Sequence, residues 1–124
     1  LAKVLVADDD VLIRALLGAL LAQNNHEVVQ ASDGDLAIET ALAEMPDLIV
    51  LDMNMPKMTG WDAAPILRAD PDTKAVPILA LSGDTTTEGV ERAHNAGCDI
   101  YLTKPIDAQL FQATVSQMLN KAGK

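Results

Sequence analysis

Aromatic residues are nearly missing from this chain of 124 residues, which has one Trp, one Tyr and one Phe. Its core must therefore be aliphatic, and hydrophobic residues supply 49% of the sequence. Cysteine is reduced to Cys98, which excludes an internal disulfide and fits a reducing cytosol. Cations are scarce: nine Lys and Arg stand against 18 Asp and Glu, for a net charge of -9. Nucleic-acid affinity rests on clustered Lys and Arg, and no basic run exists, so neither direct nucleic-acid contact nor attraction to an anionic membrane is expected. No apolar run approaches the roughly 18 to 20 residues of a spanning helix, and nothing resembles a signal peptide, so the expectation is a cytoplasmic chain with no membrane insertion. Internal repeats and low-complexity segments are also lacking. The length suits one domain, residues 1–124, with a core that needs no disulfide or metal staple.

What is present centres on one stretch, Asp47-Leu48-Ile49-Val50-Leu51-Asp52-Met53-Asn54-Met55-Pro56. Four branched apolar residues run without a break and stop at a carboxylate, the pattern of a strand buried on both faces of a parallel sheet. Pro56 then forces an irregular loop. The remaining segments alternate in the same manner. Lys3 to Ala7 predicts a first strand, ended by Asp8-Asp9-Asp10. Asp10 is placed to cap a helix in which Leu12, Leu16 and Leu20 repeat every four residues, with Ile13, Leu17 and Leu21 beside them. Asn24-Asn25 breaks it.

Glu27 to Ala31 predicts a less apolar strand near a sheet edge. Ser32-Asp33-Gly34-Asp35 opens a second helix, with Ala37, Ile38, Ala41 and Leu42 facing in, closed by Pro46. After the Asp52 strand, a third helix is expected from about Trp61 to Ala69, kinked or shortened by Pro65. Val76 to Leu81 predicts the fourth strand, ending at Ser82. A fourth helix from about Thr86 to Ala96 carries Gly89 and offers mainly Val90 and Ala93 for burial, so it should be weakly held. Gly97 stops it. Asp99 to Leu102 is the fifth strand. Asp107 then caps a last helix with Leu110, Phe111, Val115, Met118 and Leu119 inward.

Five strands alternating with five helices imply an α/β fold: a doubly wound (βα)5 sandwich around a five-stranded parallel sheet. The common strand order for that pattern is the flavodoxin-like 2-1-3-4-5, which binds ligands at the carboxyl edge. Asp8-Asp9, Asp52, Ser82 and Lys104 each stand where an apolar run stops, so all converge on that edge. Three crowded carboxylates repel, which raises the pKa of at least one unless a cation intervenes. With no Cys or His nearby, the cluster favours Mg2+ over zinc, and the Asn54 carbonyl is a further oxygen donor. Lys104 and Ser82 complement the oxygens of a phosphoryl group on Asp52.

Each residue has a plainer reading on its own. Asp8, Asp9 and Asp10 can be turn and cap residues, Asp52 a loop start, Ser82 a turn residue and Lys104 a solvated charge. Tyr101 can be a half-buried strand residue, and Cys98 a small buried hydrophobe. His26 and His94 stand at no metal-ligand spacing and read as surface residues. The Met side chains read as core or loop packing. The coincidence of complementary groups at four strand ends is what outweighs these readings.

Four stretches resemble the receiver domains of two-component response regulators. They are Val4-Leu5-Val6-Ala7-Asp8-Asp9-Asp10, Pro46 through Gly60, Pro77-Ile78-Leu79-Ala80-Leu81-Ser82-Gly83, and Tyr101-Leu102-Thr103-Lys104-Pro105. The resemblance covers essentially the whole chain. It implies that Asp52 accepts a phosphoryl group from a histidine kinase or histidine phosphotransfer protein. It further implies Asp9 as principal metal ligand, Asp8 acting largely through water, Asn54 coordinating by its carbonyl, and Lys104 pairing with the phosphoryl oxygens beside a cis bond to Pro105. Ser82 and Tyr101 would form the switch, with output to a downstream protein target or effector domain through the face of the fourth helix, fifth strand and fifth helix. The resemblance implies a signalling phosphoacceptor rather than an enzyme, assisting its own Mg2+-dependent phosphorylation and dephosphorylation. Gly83 departs from the common Ala, and Pro65 is unusual.

Two rivals fit less well. A flavodoxin needs a Ser/Thr/Gly phosphate loop where Asp8-Asp9-Asp10 stands. A haloacid dehalogenase-type phosphatase needs a second Asp at the position of Asn54. A third reading keeps the fold as an interaction module without phosphorylation. No effector segment follows Lys104, so a stand-alone receiver is expected ahead of a piece of a longer regulator.

Overall fold

The computed structural model describes residues 2–123. In chain order its elements are β1 (Lys3–Ala7), α1 (Val11–Gln23), β2 (Glu27–Ala31), α2 (Gly34–Glu44), β3 (Leu48–Asp52), α3 (Gly60–Ala69), β4 (Ile78–Ser82), α4 (Thr87–Asn95), β5 (Ile100–Thr103) and α5 (Ala108–Lys121). All strand pairs are parallel and the sheet order is β2-β1-β3-β4-β5, the flavodoxin-like arrangement. β2 lies at an edge, as its mixed composition predicts.

The unbroken apolar runs have a direct cause. Successive strand side chains point to opposite faces, and here both faces are covered. Leu5, Ala7, Ile49 and Leu51 pack on one face with Ala37, Ala41, Ala64, Leu67 and Ala93. Val4, Val6, Leu48 and Val50 pack on the other with Leu17, Leu21, Phe111, Val115 and Leu119. Each fully buried Leu, Ile or Val in β3 contributes about 2 kcal/mol of transfer free energy. The central strand is thereby fixed, and with it the position of Asp52.

Caps are where the side chains place them. Asp10, Asp33, Thr59, Thr86 and Asp107 each accept a backbone N–H in the first turn of the helix that follows. α2 closes on Met45 in a left-handed conformation (φ 49°) just before Pro46, and Gly97 (φ 111°) ends the α4 segment.

Several expectations need correction. Leu12 and Leu16 are 75% and 46% exposed, whereas Leu17, Leu20 and Leu21 are buried. A stripe repeating every four residues drifts around a helix of 3.6 residues per turn, so Leu12 lies about 80° from Leu20. Leu42, Val90 and Leu110 are exposed for the same reason: each sits one step off the inner stripe of its helix. β4 begins at Ile78, because Pro77 has no N–H for the ladder and Val76 closes a turn onto Thr73. β5 begins at Ile100, after Asp99. Pro65 neither ends nor shortens α3, which runs continuously through it with the ring on the exposed side. His26 is half-buried, and its Nδ1 accepts the N–H of Ala2.

The weak anchoring predicted for α4 is observed. Its buried residues are Gly89 and Ala93, neither with much side chain to bury. Polar ties substitute. The Arg92 guanidinium lies 4.2 Å over the Trp61 ring of α3. Arg68, also on α3, donates to the Gly97 and Val76 carbonyls and pairs with Asp99.

Candidate functional site

The site stands at the carboxyl edge, where β1, β3, β4 and β5 end together. Asp8 directly follows β1 and is fully buried. Its Oδ1 accepts the Asp10 N–H at 2.9 Å, and its Oδ2 lies 3.1 Å from Lys104 Nζ. Asp9 is exposed beside it. Asp52, the last residue of β3, is 2% exposed. Its Oδ1 accepts the Asn54 N–H at 3.1 Å and lies 3.4 Å from Lys104 Nζ. Its Oδ2 receives no hydrogen bond from the described residues.

Carboxylate oxygens of Asp8, Asp9 and Asp52 fall within 4.8 Å of one another. Such crowding fits a hard divalent cation, and the donor set is all oxygen. Electrostatics agree. Burial pushes the Asp52 carboxyl up to about 6; the Asp8 charge adds to this, while the Asn54 N–H and Lys104 pull back. Burial alone would depress Lys104, but Asp52 and Asp8 outweigh it and hold the ammonium above its usual range.

Ser82 ends β4 fully buried, and its Oγ accepts the Asp84 N–H at 3.1 Å. The Ser82 carbonyl accepts the Lys104 N–H at 2.8 Å, which ties the two strand ends together. The Lys104–Pro105 peptide is cis. Tyr101 is half-buried, and its hydroxyl donates to the Asp84 carbonyl. Asp84 thus contacts both expected switch residues. Its carboxylate accepts from the Thr86 N–H and hydroxyl, which lowers its pKa. Gly83 is exposed, and a Cβ there would meet nothing within 4 Å, so the departure from Ala is sterically silent.

Asp8, Asp9, Asp52, Asn54, Ser82 and Lys104 therefore gather at one edge, while Tyr101 lies within β5 and its hydroxyl reaches only Asp84 among the described residues. Others escaped sequence reasoning. Arg14 donates to the Asp8 carbonyl at 2.6 Å and reaches Gln30 by its Nε, which fixes the β1–α1 turn. A lone Arg in an otherwise apolar helix is the signal for it. Asp33 is 6% exposed, holds the Leu36 N–H and lies 3.7 Å from Lys57 Nζ. No local sequence pattern links it to Lys57. Cys98 is buried as expected, and burial pushes its thiol up to about 11.

The geometry can be set beside known proteins. The family model for the response regulator receiver domain matches residues 4–116. The transcriptional regulatory protein PdtaR of Mycobacterium tuberculosis is 38% identical over 104 residues, which cover 83% of this chain and 49% of that protein. This chain therefore spans about half the length of PdtaR. The chemotaxis response regulator CheY4 of Vibrio cholerae superposes with a TM-score of 0.90 at 32% identity, covering 95% of this chain and 98% of that one. The receiver domain of the sensor histidine kinase PA1611 from Pseudomonas aeruginosa, which has a magnesium ion coordinated in its active site cleft, superposes with a TM-score of 0.88. Its identity is 25%, and 96% and 98% of the two chains are covered. With the strand order, the acidic edge and these likenesses in agreement, the chain belongs to the response regulator receiver domain family.

Proposed function

We propose that this protein is a phosphorylation-activated switch in a two-component phosphorelay, with Asp52 as phosphoacceptor. The observation that carries this is the position of Lys104 Nζ, 3.1 Å from Asp8 and 3.4 Å from Asp52 in a three-carboxylate cleft. An Asp oxygen attacks phosphorus in line. The P–N bond of a phosphohistidine donor breaks, and its electron pair leaves on the imidazole nitrogen, yielding an acyl phosphate on Asp52. Asp52 Oδ2, which receives no hydrogen bond from the described residues, is the attacking atom. Lys104 holds the transferred oxygens.

Asp9 and Asp52 are the carboxylate ligands for Mg2+, with Asp8 supporting through water and Asn54 supplying its carbonyl. A Mg2+ ion held by these residues would supply positive charge to offset what develops on the phosphoryl oxygens. Donors are a histidine kinase or histidine phosphotransfer protein in the cytoplasm. Ser82 then leaves the Asp84 N–H to bond the phosphoryl group, and Tyr101 follows into the space opened. This two-state equilibrium repositions α4 and presents the α4–β5–α5 face to a downstream protein target or effector domain. Residues 1–124 act as one receiver domain by protein contact.

Intact mass after incubation with acetyl phosphate and Mg2+ tests the reading. One metal-dependent, hydroxylamine-labile phosphoryl adduct is expected on the wild type and none on Asp52→Asn. Absence of an adduct with acetyl phosphate and with a phosphohistidine donor leaves an interaction module and ends the phosphoacceptor assignment.

A further inference from the structure

The loop between β3 and α3, residues 53–59, carries Asn54 toward Asp52, and its shape decides where the Asn54 carbonyl points. Its near end is stitched to the sheet: Met53 is fully buried, its N–H donates to Leu81 O at 2.9 Å, and its carbonyl accepts the Gly60 N–H at 3.2 Å. Its far end turns sharply, with Lys57 in a left-handed conformation at φ 64°. Such a turn in a residue other than glycine persists only where its surroundings hold it.

What holds it is the start of α2. The Gly34 N–H donates to the Met58 carbonyl at 3.0 Å, and the buried Asp33 carboxylate faces Lys57 Nζ at 3.7 Å. Asp33 Oδ1 is meanwhile bound to the Leu36 N–H, so the acid is fixed by its own helix. A Cβ at position 34 would lie 2.2 Å from Met58 O and 2.7 Å from Met58 C. Those are backbone atoms and cannot swing away as a side-chain tip can. The Gly34–Met58 bond therefore requires glycine, and the Asp33-Gly34 pair grips residues 57 and 58 in register.

We propose that Gly34, supported by Asp33, is a positioning residue for divalent-cation binding: it holds the 53–59 loop so that the Asn54 carbonyl faces the Asp9–Asp52 carboxylates. This rests on the metal reading given above. Neither residue contacts the cation; they act through the loop backbone, as outer partners of metal ligands do.

Titration calorimetry with Mg2+ on the metal-free wild type and Gly34→Ala tests it. The variant should bind about 10-fold more weakly, as is typical when an outer partner of a metal site is lost. With acetyl phosphate, its half-saturating Mg2+ should rise while labelling at saturating Mg2+ returns to the wild-type rate. A folded Gly34→Ala that binds Mg2+ like wild type overturns the inference. Should that variant not fold, hydrogen exchange on the wild type decides. By linkage, saturating Mg2+ should slow exchange of the Gly34 amide, and unchanged exchange overturns the inference. A wild type that binds no Mg2+ is a separate outcome: it refutes the metal reading and takes the positioning role down with it.

Discussion

The two flanks of the acidic site are built in opposite ways. On one side the 53–59 loop is held by main chain: Met53 to Leu81, Gly60 to Met53, and Gly34 to Met58. On the other, residues 83–86 and α4 are held by side chains: the Asp84 carboxylate on Thr86, the Tyr101 hydroxyl on Asp84, and Arg92 over Trp61. Main-chain contacts between close-packed segments tolerate no displacement, whereas exposed side-chain contacts exchange readily with water. Under the proposed function the difference is useful. The flank that must present an oxygen to a cation is rigid, and the flank that must report on the phosphoryl group is free to shift.

The largest expected effect breaks the rigid side directly. A Cβ at Gly60 would sit 2.5 Å from the Asp52 carbonyl oxygen and 2.8 Å from Met53 Cα. Gly60→Ala should therefore cost about 3 kcal/mol in urea denaturation, the scale of a forced overpacking. At Gly89 the nearest atoms belong to the Asp84 carboxylate at 2.6 Å, a side-chain tip that can shift by giving up its bonds to Thr86, and the preference of about 1 kcal/mol for Ala in the helix offsets that loss. Gly89→Ala should leave stability nearly unchanged. Equal losses at the two positions would erase the contrast.

A second measurement concerns the acid between the flanks. Burial raises the Asp52 pKa from an ordinary 3.8 to about 6. Between those values the native state holds more protons than the unfolded chain, so this group's contribution to stability falls as pH rises from about 4 to 6 and stays low above. Asn does not ionise. In EDTA at pH 7, Asp52→Asn should be more stable than wild type by about 3 kcal/mol, and the gap should close toward pH 4. A gap that is the same at both pH values would place the strain elsewhere.

The smallest effect concerns the flank held by side chains. Arg92→Ala removes the contact with Trp61 and should cost about 1 kcal/mol or less. Cys98 lies buried just past α4 with its thiol held near 11, so alkylation at pH 8 waits on local opening. Labelling should quicken by about fivefold in Arg92→Ala, the same free energy expressed as a population. An unchanged rate would show that opening at Cys98 does not involve the α3–α4 contact.

Much of this was legible in the sequence because the signals are local. Apolar runs between Asp8, Asp52, Ser82 and Lys104 mark strands, and a parallel sheet must gather their ends. Caps at Asp10 and Asp107 are equally local. What could not be read depends on distance through space. Leu12, Leu16 and Leu110 repeat convincingly but lie off the axis of burial, because helix phase is set by neighbours that the repeat does not name. Gly34 and Gly60 look like ordinary loop glycines until Met58 and Asp52 are placed against them. Pro65 looks disruptive in sequence, yet on the exposed side of α3 its ring is accommodated.

Trp61 is the only tryptophan in the chain, and its ring packs against the Arg92 guanidinium on the seam between α3 and α4. Indole emission is sensitive to an adjacent cation and to water. The protein therefore carries an intrinsic fluorophore where the main-chain-held and side-chain-held flanks meet, and the spectrum of unlabelled material is a direct optical record of that seam.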